Sequence, residues 1–207
     1  MKIICIGRNY AEHAKELDNP LPKKPLYFLK PDSAILPKNN PFFIPEFSKE
    51  IHYELEIVLK INRIGRHIEA RFAHKYFEEI GLGIDFTARD IQQQCKEKGH
   101  PWEKAKGFDG SAPLGELVNK SEFSNLANIN FSLTQNGVTK QKGNTGDMIF
   151  SFNEIISYVS KFMTLKIGDL IYTGTPAGVG PVSQNDLLEG FIEDKKMLSC
   201  RIKHAIN

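Results

Sequence analysis

The sequence has almost no net charge: 27 Lys and Arg stand against 25 Asp and Glu, which leaves +2. A chain that binds nucleic acid or an anionic membrane carries a larger or more clustered basic excess, so this balance argues against both and leaves a small molecule or a protein as partner. Cysteine is scarce as well. Cys5, Cys95 and Cys200 are odd in number and far apart, which excludes a disulfide framework and a thiolate zinc site and points to a reducing cytosol. Long hydrophobic runs are missing. The apolar stretch Ile3–Ile6 ends at Gly7-Arg8, and no window approaches the ~18 apolar residues of a membrane helix, so a soluble, unprocessed, cytoplasmic protein is expected. The glycine-rich segment Thr173–Gly180 lacks the Gly-Lys-Ser/Thr ending of a phosphate loop and opens no helix, which removes a nucleotide site.

What is present suits one catalytic-sized domain over 1–207, because 41% hydrophobic residues can bury a sizeable core and chains usually divide only beyond ~250 residues. Seven of the eleven prolines fall between Pro20 and Pro45, but they are interleaved with residues such as Phe28, Ile35 and Phe42. That mixture predicts an ordered excursion with short edge strands rather than a linker. A strand is expected over Ile3–Ile6, and then a helix from Tyr10 to about Leu17 capped by Asn9 with Glu12. Further along, a strand is expected over 51–61, a helix carrying Ile68, Phe72, Tyr76 and Ile80 closed by Gly81, and a strand over 81–85. A helix capped by Thr87 should follow and stop at Gly99. Asn136-Gly137 marks a hairpin turn, and Ser151 with Glu154 opens another helix. Strands over 169–173 and roughly 197–202 complete an α+β protein dominated by mixed or antiparallel sheet.

Three groups of residues could carry chemistry. His52, Glu54 and Glu56 alternate along a strand and so share a face, with successive carboxylates roughly 7 Å apart at Cβ. Asp85 ends an apolar strand, where a third carboxylate can enter a cleft. Two near carboxylates repel, and a hard divalent cation removes that penalty; an oxygen-only set suits Mg²⁺ or Mn²⁺ rather than zinc. The plainer alternative is a solvated strand face plus a turn aspartate favoured beside a helix N-terminus. His13 and Glu16 are neighbours on one helical face, which is the geometry of an oriented general base or simply of a surface ion pair. The Thr173–Gly180 loop could bring backbone N–H groups to an anion, or could be an ordinary tight turn. Lys106 alone is one lysine among many, and His67, His74, His100 and His204 have no partner at a meaningful spacing.

Together, Gly7-Arg8-Asn9-Tyr10 with His13 and Glu16, Phe28-Leu29-Lys30-Pro31, His52-x-Glu54-x-Glu56, Asp85-x-Thr87-Ala88-Arg89-Asp90-x-Gln92, Trp102-x-x-Ala105-Lys106, Met148-Ile149-Phe150 and Thr173-Gly174-Thr175-Pro176-x-Gly178-Val179-Gly180 resemble the fumarylacetoacetate hydrolase superfamily. More narrowly, they look like its small single-domain acylpyruvate hydrolase and oxaloacetate decarboxylase branch. The resemblance implies a mixed β-roll with a few flanking helices and a short N-terminal lid helix, usually as a homodimer. It also implies Mg²⁺ or Mn²⁺ held by Glu54, Glu56 and Asp85, with Lys106 neutralising charge on a bound 2-oxo acid. Arg89, Gln92 and Thr175 match pocket positions, and His13 with Glu16 matches a dyad that positions a water.

The activity so implied is metal-dependent cleavage of a C–C bond in acylpyruvates, giving pyruvate and a carboxylate, with oxaloacetate decarboxylation as a second activity. Two alternatives stand beside it: an isomerase or decarboxylase of unsaturated 2-oxo dicarboxylic acids, and a non-catalytic cation-binding module. Asp147, next to Met148, departs from the small or hydroxyl-bearing residue common in that place and leaves the natural acyl group open.

Overall fold

The computed structural model describes residues 1–16, 20–38 and 40–204. In chain order the elements are β1 (Ile3–Ile6), α1 (Ala11–Glu16), β2 (Tyr27–Lys30), β3 (Ile35–Leu36), β4 (Phe42–Ile44), β5 (Ile51–Tyr53), β6 (Leu55–Ile61), α2 (Ala70–Ala73), β7 (Phe77–Ile84) and β8 (Thr87–Ala88). They continue with α3 (Arg89–Lys98), α4 (Glu103–Lys106), β9 (Ala112–Asn119), β10 (Asn130–Gln135), β11 (Val138–Asn144), α5 (Phe152–Val159), β12 (Leu170–Tyr172), β13 (Gly180–Pro181), β14 (Leu187–Ile192) and β15 (Lys195–His204).

The strands form three sheets. One runs β2-β1-β12-β6-β7-β9-β3, a second β11-β10-β14-β15-β4, and a small third β13-β5-β8. Both parallel and antiparallel pairings occur: β1 lies parallel to β12, while β6 and β7 are antiparallel. The mixed, mainly β architecture expected from the sequence is therefore what forms. Its core is continuous across sheets, because Leu55, Ile57, Leu82, Leu188 and Leu198 pack together with the buried face of α5. Gly115 lets β9 approach β15; a Cβ there would stand 2.3 Å from the Met197 carbonyl oxygen.

Several local expectations are corrected. The helix drawn through Ile68 and Ile80 shrinks to Ala70–Ala73, and Ile80 and Gly81 belong to β7. Their apolar spacing serves a strand buried between β6 and β9, where both faces need apolar residues. Asn9 is not a cap. It is fully buried, donating from Nδ2 to the Phe150 and Thr173 carbonyls and accepting from the Phe150 N–H, and α1 begins after it. Leu17, the expected end of that helix, lies outside the described residues. Thr87 does not cap α3 either, since the residue before that helix is Ala88 and no side chain caps it. Strand 51–61 is broken at Glu54, and β9 and β14 are strands beyond those expected from the sequence. By contrast, Gly99 ends α3 at φ 66°, and Ser151 with Glu154 closes a full capping box. Asn136 and Gly137 turn the β10–β11 hairpin at φ 55° and 79°.

Candidate active site

The break at Glu54 and the antiparallel register of β6 against β7 gather the acids. Glu56 faces Gly83 across the ladder, Leu55 faces Ile84, and the Asp85 N–H donates to the Glu54 carbonyl at 2.8 Å. Glu54, Glu56 and Asp85 are all buried, and each offers an oxygen within 4.8 Å of the others. His52, the remaining member of the alternating set, instead pairs through Nε2 with Glu50 at 2.9 Å. The three carboxylates expected as ligands converge, and His52, which only shared their alternation, lies apart from them.

Cations surround this cluster. The buried Lys106 ammonium donates to Glu54 Oε2 and Asp85 Oδ2, both at 2.8 Å, and to Thr87 Oγ1 at 2.5 Å. Arg89 donates to Glu54 Oε1 and to Gln92 Oε1, each at 2.7 Å. Lys30 was quoted in the sequence pattern without a role, and it supplies a third charge. Its Nζ lies 2.7 Å from Asp85 Oδ1 but spends its hydrogens on the Phe86 carbonyl and on the Ser111 carbonyl and hydroxyl. Asp85 Oδ1 thus has a neighbouring charge and no hydrogen bond. Ser111 also donates to the Lys106 carbonyl at 2.8 Å, which ties the two lysines into one frame.

The protonation balance follows from these contacts. Burial pushes the Glu54 carboxyl up, but Lys106, Arg89 and His13 outweigh it and hold Glu54 well below the usual carboxylate range. Glu56 goes the other way. Burial, then Asp85 and Glu54, drive it well above its ordinary value, and the Gly174 N–H at 2.7 Å offsets only part of this. Burial lowers the Lys106 pKa, yet Asp85 and Glu54 more than restore it, so the ammonium stays charged. Among the described residues Glu56 has no ion-pair partner and Asp85 Oδ1 accepts no hydrogen bond, so both can turn an oxygen to a further cation. A hard divalent cation, with oxygen ligands at about 2.1 Å, fits such a donor set.

The dyad sits above. His13 is buried, and its Nδ1 lies 3.1 Å from Glu16 Oε2, while Glu16 Oε1 accepts from the Gly178 N–H at 3.0 Å. The glycine-rich loop after β12 therefore does bring amides to anions, but the anions are the chain's own carboxylates. Gly174, at φ 100°, serves Glu56 and Gly178, at φ 97°, serves Glu16. Thr175 is carried beside Glu56 by the same loop, but its hydroxyl is engaged by Gln141 Nε2 at 2.8 Å. Gln141 is a residue that sequence reasoning missed. It also accepts from the Leu55 N–H at 2.9 Å and so pins the Glu54–Glu56 segment to the loop. Between α1, α3 and α4 a cavity of about 20 Å³, room for a single water, is lined by Arg8, His13, Glu54, Arg89, Lys96 and Trp102, among others.

This arrangement can be set beside known proteins. Residues 2–205 match the family described as fumarylacetoacetate (FAA) hydrolase, C-terminal. The chain belongs to this family. Within it, the chain is 42% identical over 201 residues to the mitochondrial oxaloacetate tautomerase of Bos taurus, covering 97% of this chain and 90% of that one. It is 43% identical over 189 residues to the mitochondrial oxaloacetate decarboxylase of Dictyostelium discoideum, covering 91% and 87%. A crystal structure of fumarylpyruvate hydrolase from Pseudomonas aeruginosa, in complex with Mn²⁺ and pyruvate, superposes with a TM-score of 0.94 at 35% identity, covering 99% and 90%. No helix among the described residues is long and apolar enough to cross a membrane.

Proposed function

We propose that the chain is one divalent-metal-dependent catalytic domain for short 2-oxo acids, hydrolysing a C–C bond of acylpyruvates and acting on oxaloacetate as a second substrate. The observation that carries this reading is that Glu54, one of three buried converging carboxylates, lines the same cavity as His13 of an oriented His13–Glu16 pair. Glu54, Glu56 and Asp85 would hold Mg²⁺ or Mn²⁺, which when bound supplies Lewis-acid stabilisation of the enolate of a 2-oxo acid. The other roles belong to the chain. Lys106 and Arg89 keep positive charge beside the position where the oxo acid's negative charge develops, and Gln92 holds the Arg89 guanidinium in place. Thr175 and Gln141 fix the wall formed by the loop after β12.

In hydrolysis His13 Nε2 takes a proton from water while Glu16 steadies the imidazolium through Nδ1. The hydroxide adds to the distal carbonyl, the C–C bond breaks with its electron pair going to the pyruvate enolate, the imidazolium returns its proton to C3 of that enolate, and pyruvate and a carboxylic acid leave. His13 lines the same cavity as Glu54, Arg89 and Lys106, which favours this role for the dyad. A second reading, supported by the oxaloacetate tautomerase relative, has the same imidazole moving the proton on C3 of oxaloacetate or of an unsaturated 2-oxo dicarboxylate. The three buried free thiols suit a reducing compartment such as the cytoplasm. A homodimer would cover exposed apolar side chains such as Phe43 and Phe47.

The test is incubation of the purified protein with acetylpyruvate, oxaloacetate and 2-oxohexenedioate, with Mg²⁺ or with chelator, following pyruvate, CO₂ and the enol band. Turnover indifferent to chelator would sink the role given to the three acids. His13→Ala should suppress acetylpyruvate hydrolysis far more than oxaloacetate decarboxylation; equal losses would mean that the dyad does not activate water. Loss of thermal stability on chelation with no turnover of any oxo acid would instead mark a structural cation module.

A further inference from the structure

At the site Lys30, Lys106 and Arg89 are all engaged by carboxylates, Lys30 by Asp85, Arg89 by Glu54 and Lys106 by both. Two more cations border the same cavity: Arg8, which follows β1, and Lys96, on α3. Among the described residues neither makes an ion pair or a side-chain hydrogen bond. Lys96 Nζ stands only over the Trp102 ring, 6.0 Å from its centroid. Positive groups assembled without a counter-charge repel. Burial and then the nearby Arg89 and Arg8 lower the Lys96 pKa, and burial lowers that of Arg8. Along one side of the cavity Lys106 Nζ stands 5.0 Å from the Phe28 ring centroid, and the Phe28 and Trp102 ring centroids are 5.9 Å apart, so the two rings lead from Lys106 to Lys96. The order along the cavity is therefore charged head site, short apolar wall, surplus positive charge.

We propose that Arg8 and Lys96 form a distal anion clamp that selects 2-oxo acids carrying a second carboxylate, of the oxaloacetate type, over acylpyruvates whose acyl end is uncharged. The proposal rests on the reading of this cavity as a 2-oxo acid site and assigns its far end. A dicarboxylate places its 2-oxo acid head towards Lys106 and Arg89, its carbon chain against Phe28 and Trp102, and its second carboxylate between Arg8 and Lys96. A neutral acyl end leaves both cations unpaired and gains nothing from them.

The experiment compares wild type, Arg8→Gln, Lys96→Met, the double variant and the charge-keeping pair Arg8→Lys and Lys96→Arg, all loaded with Mg²⁺, on oxaloacetate and acetylpyruvate. The double variant should lower the ratio of kcat/KM for oxaloacetate to that for acetylpyruvate by about tenfold or more, mainly through KM, with recovery in the charge-keeping variants. Added salt should narrow the wild-type ratio. Equal losses on both substrates, or an unchanged ratio, overturn the clamp. Trp102 is the sole tryptophan, and its fluorescence gives a readout independent of turnover: oxaloacetate should bind more tightly than pyruvate in wild type, and the double variant should lose that preference. If no substrate is turned over yet the fluorescence preference is present and lost as described, the clamp stands and the catalytic reading falls; no preference in wild type sinks the clamp.

Discussion

Glu56 is the carboxylate least able to hold its charge unaided, because burial and two neighbouring acids raise its pKa while the Gly174 N–H and the Lys106 charge oppose them only in part. A divalent cation favours the ionised form, so binding near neutral pH should expel a proton, and affinity should climb as pH rises towards the raised pKa. Mn²⁺ titrations in two buffers of different ionisation enthalpy should give different heats; identical heats would show Glu56 already ionised without metal. Lys30 acts differently. Its ammonium satisfies two carbonyls and a hydroxyl in a fully buried place beside Asp85. Lys30→Met should cost about 3 kcal/mol in urea unfolding, since it strands a buried charge, and a loss under 1 kcal/mol would deny the strut. Lys30 carried a faint signal in the sequence, a charge at the end of an apolar edge strand. Gln141 carried none, because it sits between Lys140 and Lys142 on a strand that reads as solvated.

At the scale of elements, the same local pattern succeeded at Ser151 and failed at Asn9 and Thr87. Capping depends on neighbours three residues away, and it wins where no distant group competes for the side chain. Asn9 is claimed by Phe150 and Thr173, and Thr87 by Lys106, partners that no window of sequence contains. The alternation rule brought Glu54 and Glu56 together, yet the strand break at Glu54 turned His52 to Glu50. The loop after β12 is the most position-sensitive element. A Cβ on Gly174 would stand 2.7 Å from Asn9 Cβ, at a φ that L residues resist. Gly174→Ala should cost about 1–3 kcal/mol of stability and weaken Mn²⁺ binding by displacing the N–H on Glu56; full affinity in a destabilised protein would show that this amide does not tune the site. Before β14, Asp186 accepts from Gln135, Asn136 and the Ser183 N–H, and these bonds outweigh burial and hold its pKa below the ordinary value. Its contribution is present above the unfolded pKa of about 3.9 and fades as pH falls through the folded value. Asp186→Asn should therefore cost about 1.5–3 kcal/mol at pH 7 and progressively less as pH falls through the lowered folded value, as read by denaturant midpoints; a cost independent of pH would contradict the carboxylate's role.

Over the whole molecule, the sequence pattern conveyed the class of fold and the identity of the acids, because periodicity and residue type are local. It could not convey which strands neighbour one another, because β1 finds β12 from the other end of the chain and Ile3 pairs with Leu170. That pairing also dates the site in the life of each molecule. The dyad on α1 is closed by Gly178, Glu56 is completed by Gly174, and Asn9 is locked by Thr173. A ribosome-bound chain holding Glu54, Glu56 and Asp85 but not yet residues 170–178 has the acids without the cradle. Loop closure across that span is slow relative to local pairing, so metal capture belongs to the end of folding. Stalled chains ending before Leu170 should leave Mn²⁺ unbound, whereas chains with the loop free of the ribosome should retain it.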